Sequence, residues 1–547
     1  MSSFSISGKL VDLFQRRIYP AEISVTDGFI TKIEEVTTIP DQYILPGFVD
    51  AHIHIESSML VPSAFAHMAV VHGTVATVSD PHEIANVMGM EGVQYMIDNS
   101  KQSAFKFFFG APSCVPATGF ETAGYTLDAA AVKELLDNDD IWYLSEVMNY
   151  PGVLHNDAAV IAKITAAKKA GKPVDGHAPG MMGVDVIKYA SAGITTDHEC
   201  FTLEEALGKI AAGMSILIRE GSAAKNFEAL SELIKLHPDK VMFCSDDKHP
   251  DELVLHHINA HVKRALQKGY DLFDVLRVAC VNPVYHYDLP VGLLQVHHPA
   301  DFIVVNDLER FDVLQTFIGG SMVARNNRSL MDEVPVVPIN NFEAEKRSAA
   351  DFKIKARSET PVIRVIEAIE GQLVTNCIEG KGKVVDGYLV SDIEHDILKI
   401  AVVNRYEQSA AVAVAFVKNF GLKSGAIAST VAHDSHNIIV VGTDDASICA
   451  AVNRLVECKG GIAVASDANT VSSMSLEVAG LMSVKGGKEV AADYSLLDAA
   501  AKNLGSQLHA PFMTLSFMAL LVIPALKLSD KGLFDGAKFE FTEVETR

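Results

Sequence analysis

The chain has 547 residues, 49% of them hydrophobic and 21% charged, and its formal net charge is −23. That length implies two or three domains with large cores. The acidic balance argues against a nucleic-acid partner or an anionic membrane surface.

The seven cysteines (Cys114, Cys200, Cys244, Cys280, Cys377, Cys449 and Cys458) are scattered and form no C-x-x-C pair. They fit a reducing cytoplasm better than a disulfide framework or a zinc ribbon. Met1-Ser2-Ser3-Phe4 lacks a basic region followed by an apolar run, so no signal peptide is expected. The run 512–526 is too short for a bilayer span and contains Thr514, Ser516 and Pro524, so it reads as buried core.

Residues 1–45 read as short strands, with a hairpin turning at Asp27-Gly28. So small a sheet needs partner strands from elsewhere. The central stretch is Pro46-Gly47-Phe48-Val49-Asp50-Ala51-His52-Ile53-His54-Ile55-Glu56. It reads as a buried strand, and side chains that alternate faces put His52 and His54 on the same side. Two imidazoles so spaced suit one metal ion, although a pair of core histidines is the plainer reading.

From 47 to about 284, short apolar strands alternate with helical stretches, and almost every strand ends in chemically capable residues. These ends are His52/His54, Asp80-Pro81-His82-Glu83, Pro112-Ser113, Ser145-Glu146, Asp175-Gly176-His177, Thr196-Asp197-His198-Glu199, Arg219-Glu220-Gly221 and Ser245-Asp246-Asp247. Eight such units predict a (β/α)8 barrel with its active site at the C-terminal ends of the strands. A doubly wound open sheet is the competing topology, but it has no reason to collect His, Glu and Asp at so many strand ends.

After Asn282-Pro283 the pattern returns to β-type runs that complete the sheet begun by residues 1–45. Residues 325–352 read as a linker, and a third region mixing strands and helices follows from about 353. The expected domains are therefore a composite small β-domain (1–45 and 285–325), a catalytic barrel (46–284) and a C-terminal α+β domain (353–547).

The strand ends supply a hard-donor ligand set of His52, His54, Glu146, His177, His198 and Asp246. Any one of these has an ordinary structural explanation, but six at one barrel mouth argue for a metal site. Imidazole and carboxylate ligands without thiolate suit Mn, Fe or Zn, and ligand type alone does not rank them; two divalent ions are expected, Mn or Fe ahead of Zn.

The order His-x-His, fourth-strand ligand, His, His, Asp resembles the amidohydrolase superfamily, metal-dependent hydrolases on a (β/α)8 barrel flanked by a small β-domain. The narrower resemblance is to the bacterial adenine deaminases. It is carried by Leu45–Met59, Ser79–Asn86, Asp175–Pro179, Arg219–Ser222 and Cys244–Asp247, and in the third region by His433-Asp434-Ser435-His436-Asn437 and Leu515-Ser516-Phe517. Many superfamily members bridge two metals with a carboxylated lysine on the fourth strand. Here 141–149 contains no lysine, and Glu146 occupies that place.

The resemblance implies a binuclear, cytoplasmic enzyme of purine salvage that hydrolyses adenine to hypoxanthine and ammonia. A bound divalent metal lowers the pKa of its water to about 7. Asp246 is expected to ligate and to accept a proton from the nucleophile. His82 and Glu83 are expected to touch substrate, with Glu83 as the ring-side acid, its pKa raised by desolvation. A helix N-terminal cap is the alternative for both. Arg219 is expected either to bind substrate or to form a buried ion pair. His433, Asp434 and His436 form either a tight polar turn or a loop that reaches the barrel mouth. The alternative function is hydrolysis of a cyclic amide, of the hydantoinase or dihydroorotase type, and a metal-binding protein without catalysis is the reading from another class. A homodimer or higher homo-oligomer is expected, with no membrane or nucleic-acid partner.

Overall fold

The computed structural model describes residues 3–546. Eight parallel strands follow one another in the order of the chain. They are Phe48–Ile53, Thr74–Ser79, Lys106–Ala111, Ile141–Val147, Val174–Gly176, Thr196–Asp197, Ser215–Arg219 and Val241–Cys244. The first five pair into one sheet and the last three into another. Two junctions join these sheets. Thr195 N donates to Val174 O at 2.8 Å between the fifth and sixth strands. On the other side Asp246 N donates to His52 O at 2.9 Å, and His54 N donates to Asp246 O at 3.3 Å. The closing bonds thus run through the residues that carry the chemistry.

The strands are apolar on both faces because helices cover the outside and packed side chains fill the inside. Phe48–Ile53, Thr74–Ser79 and Ser215–Arg219 are buried at every position. Buried Asp50 staples the closure: its Oδ2 lies 2.8 Å from His257 Nε2, and its Oδ1 accepts from Ser245 N at 3.0 Å. This fixes the end of the eighth strand, and hence Asp246, against the first.

Both ends of the barrel segment build an eight-stranded sheet. Tyr43–Pro46 is its centre, paired parallel to Ser3–Asp12 and antiparallel to Phe302–Val305. The hairpin of Arg17–Thr26 and Phe29–Glu35 turns at Asp27-Gly28, both of which have positive φ. A separate apolar cluster that includes Ile23, Ile44, Phe302 and Phe317 holds this sheet together.

Beyond 353, a second eight-stranded sheet forms around Ile397–Val403, Ala426–Ser429 and Ile438–Gly442, all fully buried. The helix Asp445–Cys458 packs on it, with Ile448, Ala451, Val452 and Leu455 facing in. Ala426–Ser429 and Ile438–Gly442 are antiparallel neighbours, so the segment 430–437 between them emerges at one end of the sheet. That end faces the barrel mouth. Asn437 Nδ2 donates to Thr122 O at 2.8 Å, and Ser483 N donates to Met59 O at 2.9 Å. The helix Pro511–Phe517, which overlaps the start of the run read as buried core, is buried throughout. Among the described residues no helix is long and apolar enough to cross a membrane.

Candidate metal centre and active site

A strand that ends at the mouth leaves its last side chains without a pleat partner, free to converge on the barrel axis. Nε2 of His52 and Nε2 of His54 lie 3.2 Å apart. Glu146, on the fourth strand, lies between two groups of histidines. Its Oε2 is 2.9 Å from His177 Nδ1 and 3.0 Å from His198 Nε2, whereas its Oε1 is 3.6 Å from His54 Nε2. Asp246 Oδ1 is 3.2 Å from His54 Nε2 and 3.6 Å from His52 Nε2. Asp246 has φ 55°, a left-handed backbone that Asp tolerates better than most residues, and this sets its carboxylate at the axis.

This donor set fits divalent ions. Atoms that ligate one ion at about 2.0–2.2 Å lie about 3.0–3.4 Å from each other, the spacing of these nitrogens and oxygens. Three overlapping sets, His52/His54/Asp246, His52/Glu146/His198 and His177/His198/Glu199, each bring their ligand atoms within 4.8 Å. His52 Nδ1, His82 Nδ1 and His177 Nε2 are buried with no hydrogen-bond partner among the described residues, which is costly unless something else engages these rings.

The charges are arranged to keep the carboxylates ionised. Burial pushes Glu146 up, but His177 and His198 hold it well below the usual carboxylate range. Burial also raises Asp246, and Arg219 followed by His52 and His54 brings it well below normal. Arg219 Nη1 contacts Glu199 Oε1 and lies 2.7 Å from Asp246 Oδ2. The ion pair expected as one of the two readings of Arg219 is present. Arg219 is 2% exposed and is engaged by these two acids.

Asp80 and Glu56 perform the capping foreseen as the alternative for His82 and Glu83. Asp80 Oδ1 accepts from His82 N at 3.0 Å, and Glu56 Oε1 accepts from Ile84 N at 3.2 Å. The side chains of His82 and Glu83 are thereby released toward the cleft.

The third region meets them there. His433 Nδ1 is 2.5 Å from Glu83 Oε1, and His436 Nε2 contacts Glu83 Oε2. His82 Nε2 is 3.7 Å from Asp434 Oδ1. The loop is held from behind by fully buried Arg405, whose backbone N–H donates to Asn437 Oδ1 at 3.1 Å and whose Nη1 donates to His436 O at 3.3 Å.

One expectation is overturned. Desolvation was to raise Glu83 toward neutrality, and burial does push it up, but His433 and His436 outweigh this and hold it well below normal. The proton rests on the imidazole side: burial lowers His433, yet Glu83 and Asp247 raise it to about 9. The sequence could not provide this correction, because the opposing histidines lie 350 residues downstream of Glu83.

Sequence reasoning also passed over Glu199 and Asp247 as site residues. Both stood next to chosen ligands at strand ends, and that adjacency was the available signal. Asp247 accepts from Ser57 Oγ at 2.5 Å and lies 3.8 Å from His433 Nε2. Apolar walls close the same cleft: Met148 comes from the barrel, and Leu373, Phe517 and Leu520 come from the third region. Phe517 packs on the His433 ring with centroids 5.2 Å apart.

Comparison with known proteins agrees with this geometry. Residues 43–323 match the amidohydrolase family, and residues 372–540 match the adenine deaminase C-terminal domain. An adenine deaminase of Sulfurovum sp. is 57% identical over 534 residues, covering 97% of this chain and 98% of that protein. The adenine deaminase of Salinibacter ruber is 54% identical over 543 residues, with 99% of each chain covered. That of Methanosarcina barkeri is 54% identical over 544 residues, with 98% of each covered. This chain therefore belongs to the adenine deaminases of the amidohydrolase family, and it is a metal-dependent hydrolase.

Proposed function

We propose that the protein hydrolyses adenine to hypoxanthine and ammonia with the help of two divalent ions, Mn or Fe in preference to Zn, which Glu146 would help to hold. The observation that carries this reading is the split arrangement around Glu146. One oxygen faces His177 and His198, and the other faces His54. The full-length similarity to adenine deaminases supports the choice of substrate.

His52, His54, Glu146, His177, His198 and Asp246 would hold the ions. When bound, these ions supply the Lewis acidity that makes water a nucleophile near neutral pH. Asp246, kept ionised by Arg219, accepts the proton that the attacking water gives up, and later returns it to the departing amine. Negative charge develops on the ring nitrogen beside the attacked carbon. Glu83 and His433 together hold a proton within reach of that nitrogen, and His82 completes the polar side of the cleft. Phe517, Leu520, Leu373 and Met148 exclude water from the flat faces of the purine.

In this reading residues 46–284 are the catalytic barrel, 1–45 with 285–325 the small β-domain, and 353–547 a domain that completes the site. The enzyme acts in the cytoplasm, in purine salvage, as a homodimer or larger homo-oligomer. Ammonia release from a panel of purines, pyrimidines and cyclic amides, alongside metal analysis of the same preparation, tests the proposal. Turnover of adenine with two ions per chain is expected. Turnover of a hydantoin or dihydroorotate in its place would overturn it.

A further inference from the structure

Lys527 lies on the short strand Leu526–Ser529 and is completely buried. Among the described residues its amino group faces no carboxylate. It donates to two backbone carbonyls, Leu373 O at 2.6 Å and Phe517 O at 2.8 Å. A buried lysine without a counter-ion is expensive, and a chain that needed only to fill this space would use Leu or Met.

What the two carbonyls have in common is the cleft. Leu373 and Phe517 both line it, and they come from segments far apart in the chain. Phe517 is the last residue of the helix Pro511–Phe517, so its carbonyl is one that the helix itself leaves unpaired. The same carbonyl accepts from Leu520 N at 3.2 Å, which ties a third apolar wall to the same point.

We infer that Lys527 is a positioning residue, holding Leu373, Phe517 and Leu520 at the spacing that grips the faces of a flat heteroaromatic substrate. This rests on the reading of the cleft as the purine site. Lys527 touches neither substrate nor metal ligand. It acts through Phe517, which in turn packs on the His433 ring.

Burial alone lowers Lys527 to about 7. The two carbonyls receive N–H donors of the amino group, and that geometry holds in either protonation state.

Lys527→Met keeps the length and apolar bulk of the side chain but removes both donors. We expect KM for adenine to rise about tenfold, the scale of one buried hydrogen bond lost from the substrate-bound state, with kcat little changed and both metals retained. In a Phe517→Leu background the same change should raise KM far less, because the wall it holds is already lost. A purely structural lysine predicts otherwise: Lys527→Met would melt earlier, with KM unchanged in the folded fraction. That result would overturn the inference.

Should Lys527→Met not fold, Lys527→Gln, which keeps an amide donor, serves for the same measurement, and an unchanged KM again counts against the inference. Hydrogen exchange of the segments 369–375 and 511–521 needs no substrate. Faster exchange confined to these two segments in either variant is expected, and unchanged exchange there would refute the role even if adenine proved not to be the substrate. Failure of the wild-type enzyme to release ammonia from adenine would count against the proposed function alone.

Discussion

The barrel and the C-terminal region meet in one cleft and contribute opposite kinds of side chain to it. The barrel side is almost entirely ionisable: His52, His54, Glu146, His177, His198 and Asp246 fall into overlapping groups of close donor atoms, and Arg219 pairs with Asp246 and Glu199 inside the barrel. The C-terminal side is mostly apolar, with Leu373, Phe517 and Leu520, and it adds one polar loop whose histidines grasp a barrel carboxylate. Metal binding needs a dense, rigid donor set, and the converging ends of parallel strands provide one. Gripping a flat heterocycle needs a wall that faces those donors, and a barrel cannot wall its own mouth. The contrast suggests that damage on the barrel side should remove metal, whereas damage on the C-terminal side should spare metal and impair turnover or substrate affinity.

The largest effect should come from Glu146→Gln. It removes the one group placed between both sets of histidines, so metal content should fall below two per chain and turnover should nearly vanish. Chelation of the wild-type enzyme should do the same, and added Mn or Fe should restore it. Metal analysis with an ammonia assay decides the point, and a fully loaded, active Glu146→Gln enzyme would break the comparison at its root.

Glu83→Gln lies where the two regions meet. The amide keeps the shape but cannot share a proton with His433, so both metals should bind normally while turnover drops at least about a hundredfold. Loss of metal from this variant would move Glu83 to the barrel's ligand set.

Arg219→Met tests the internal balance of the barrel side. Glu199 and Asp246 would be left buried without their cation, a defect that costs about 3–5 kcal/mol. Urea unfolding should show a loss of that order, and a loss below about 1 kcal/mol would mean that the surrounding histidines already compensate the two acids.

The smallest effect concerns acid stability of the barrel away from the metals. His72 and His261 are buried and donate to Leu253 O at 2.9 Å and to Cys244 O at 3.1 Å. Burial lowers His72 to about 3 and His261 well below its ordinary 6.5. The unfolded chain takes up these protons near pH 6.5 and the folded chain does not. Stability should therefore be full above pH 6.5 and decline below it, by at most about 1.4 kcal/mol per pH unit for each histidine. Thermal melts at a series of pH values measure the slope, and it should lessen in His72→Gln.

Much of this molecule was legible in the chain because barrel geometry is local. A strand of known direction ends at the mouth, so a histidine or carboxylate at its end belongs to the site wherever the strand sits in the barrel. This is why His52, His54, His177, His198 and Asp246 could be chosen from the sequence, and why the absence of lysine from 141–149 pointed to Glu146. The role of Arg219 was open until the fold brought Glu199, twenty residues away, against its guanidinium. The same holds for Glu83: its own surroundings argue for desolvation, and only the chain crossing at His433 and His436 reverses the sign. Lys527, just past the apolar run 512–526, carries no signal in the sequence, and it acquires its role only where two separate segments turn their carbonyls toward it. Periodicity and residue type determine which side chains reach a strand end or a core. Which charge or carbonyl each then meets depends on contacts between segments hundreds of residues apart, and only the tertiary structure decides those.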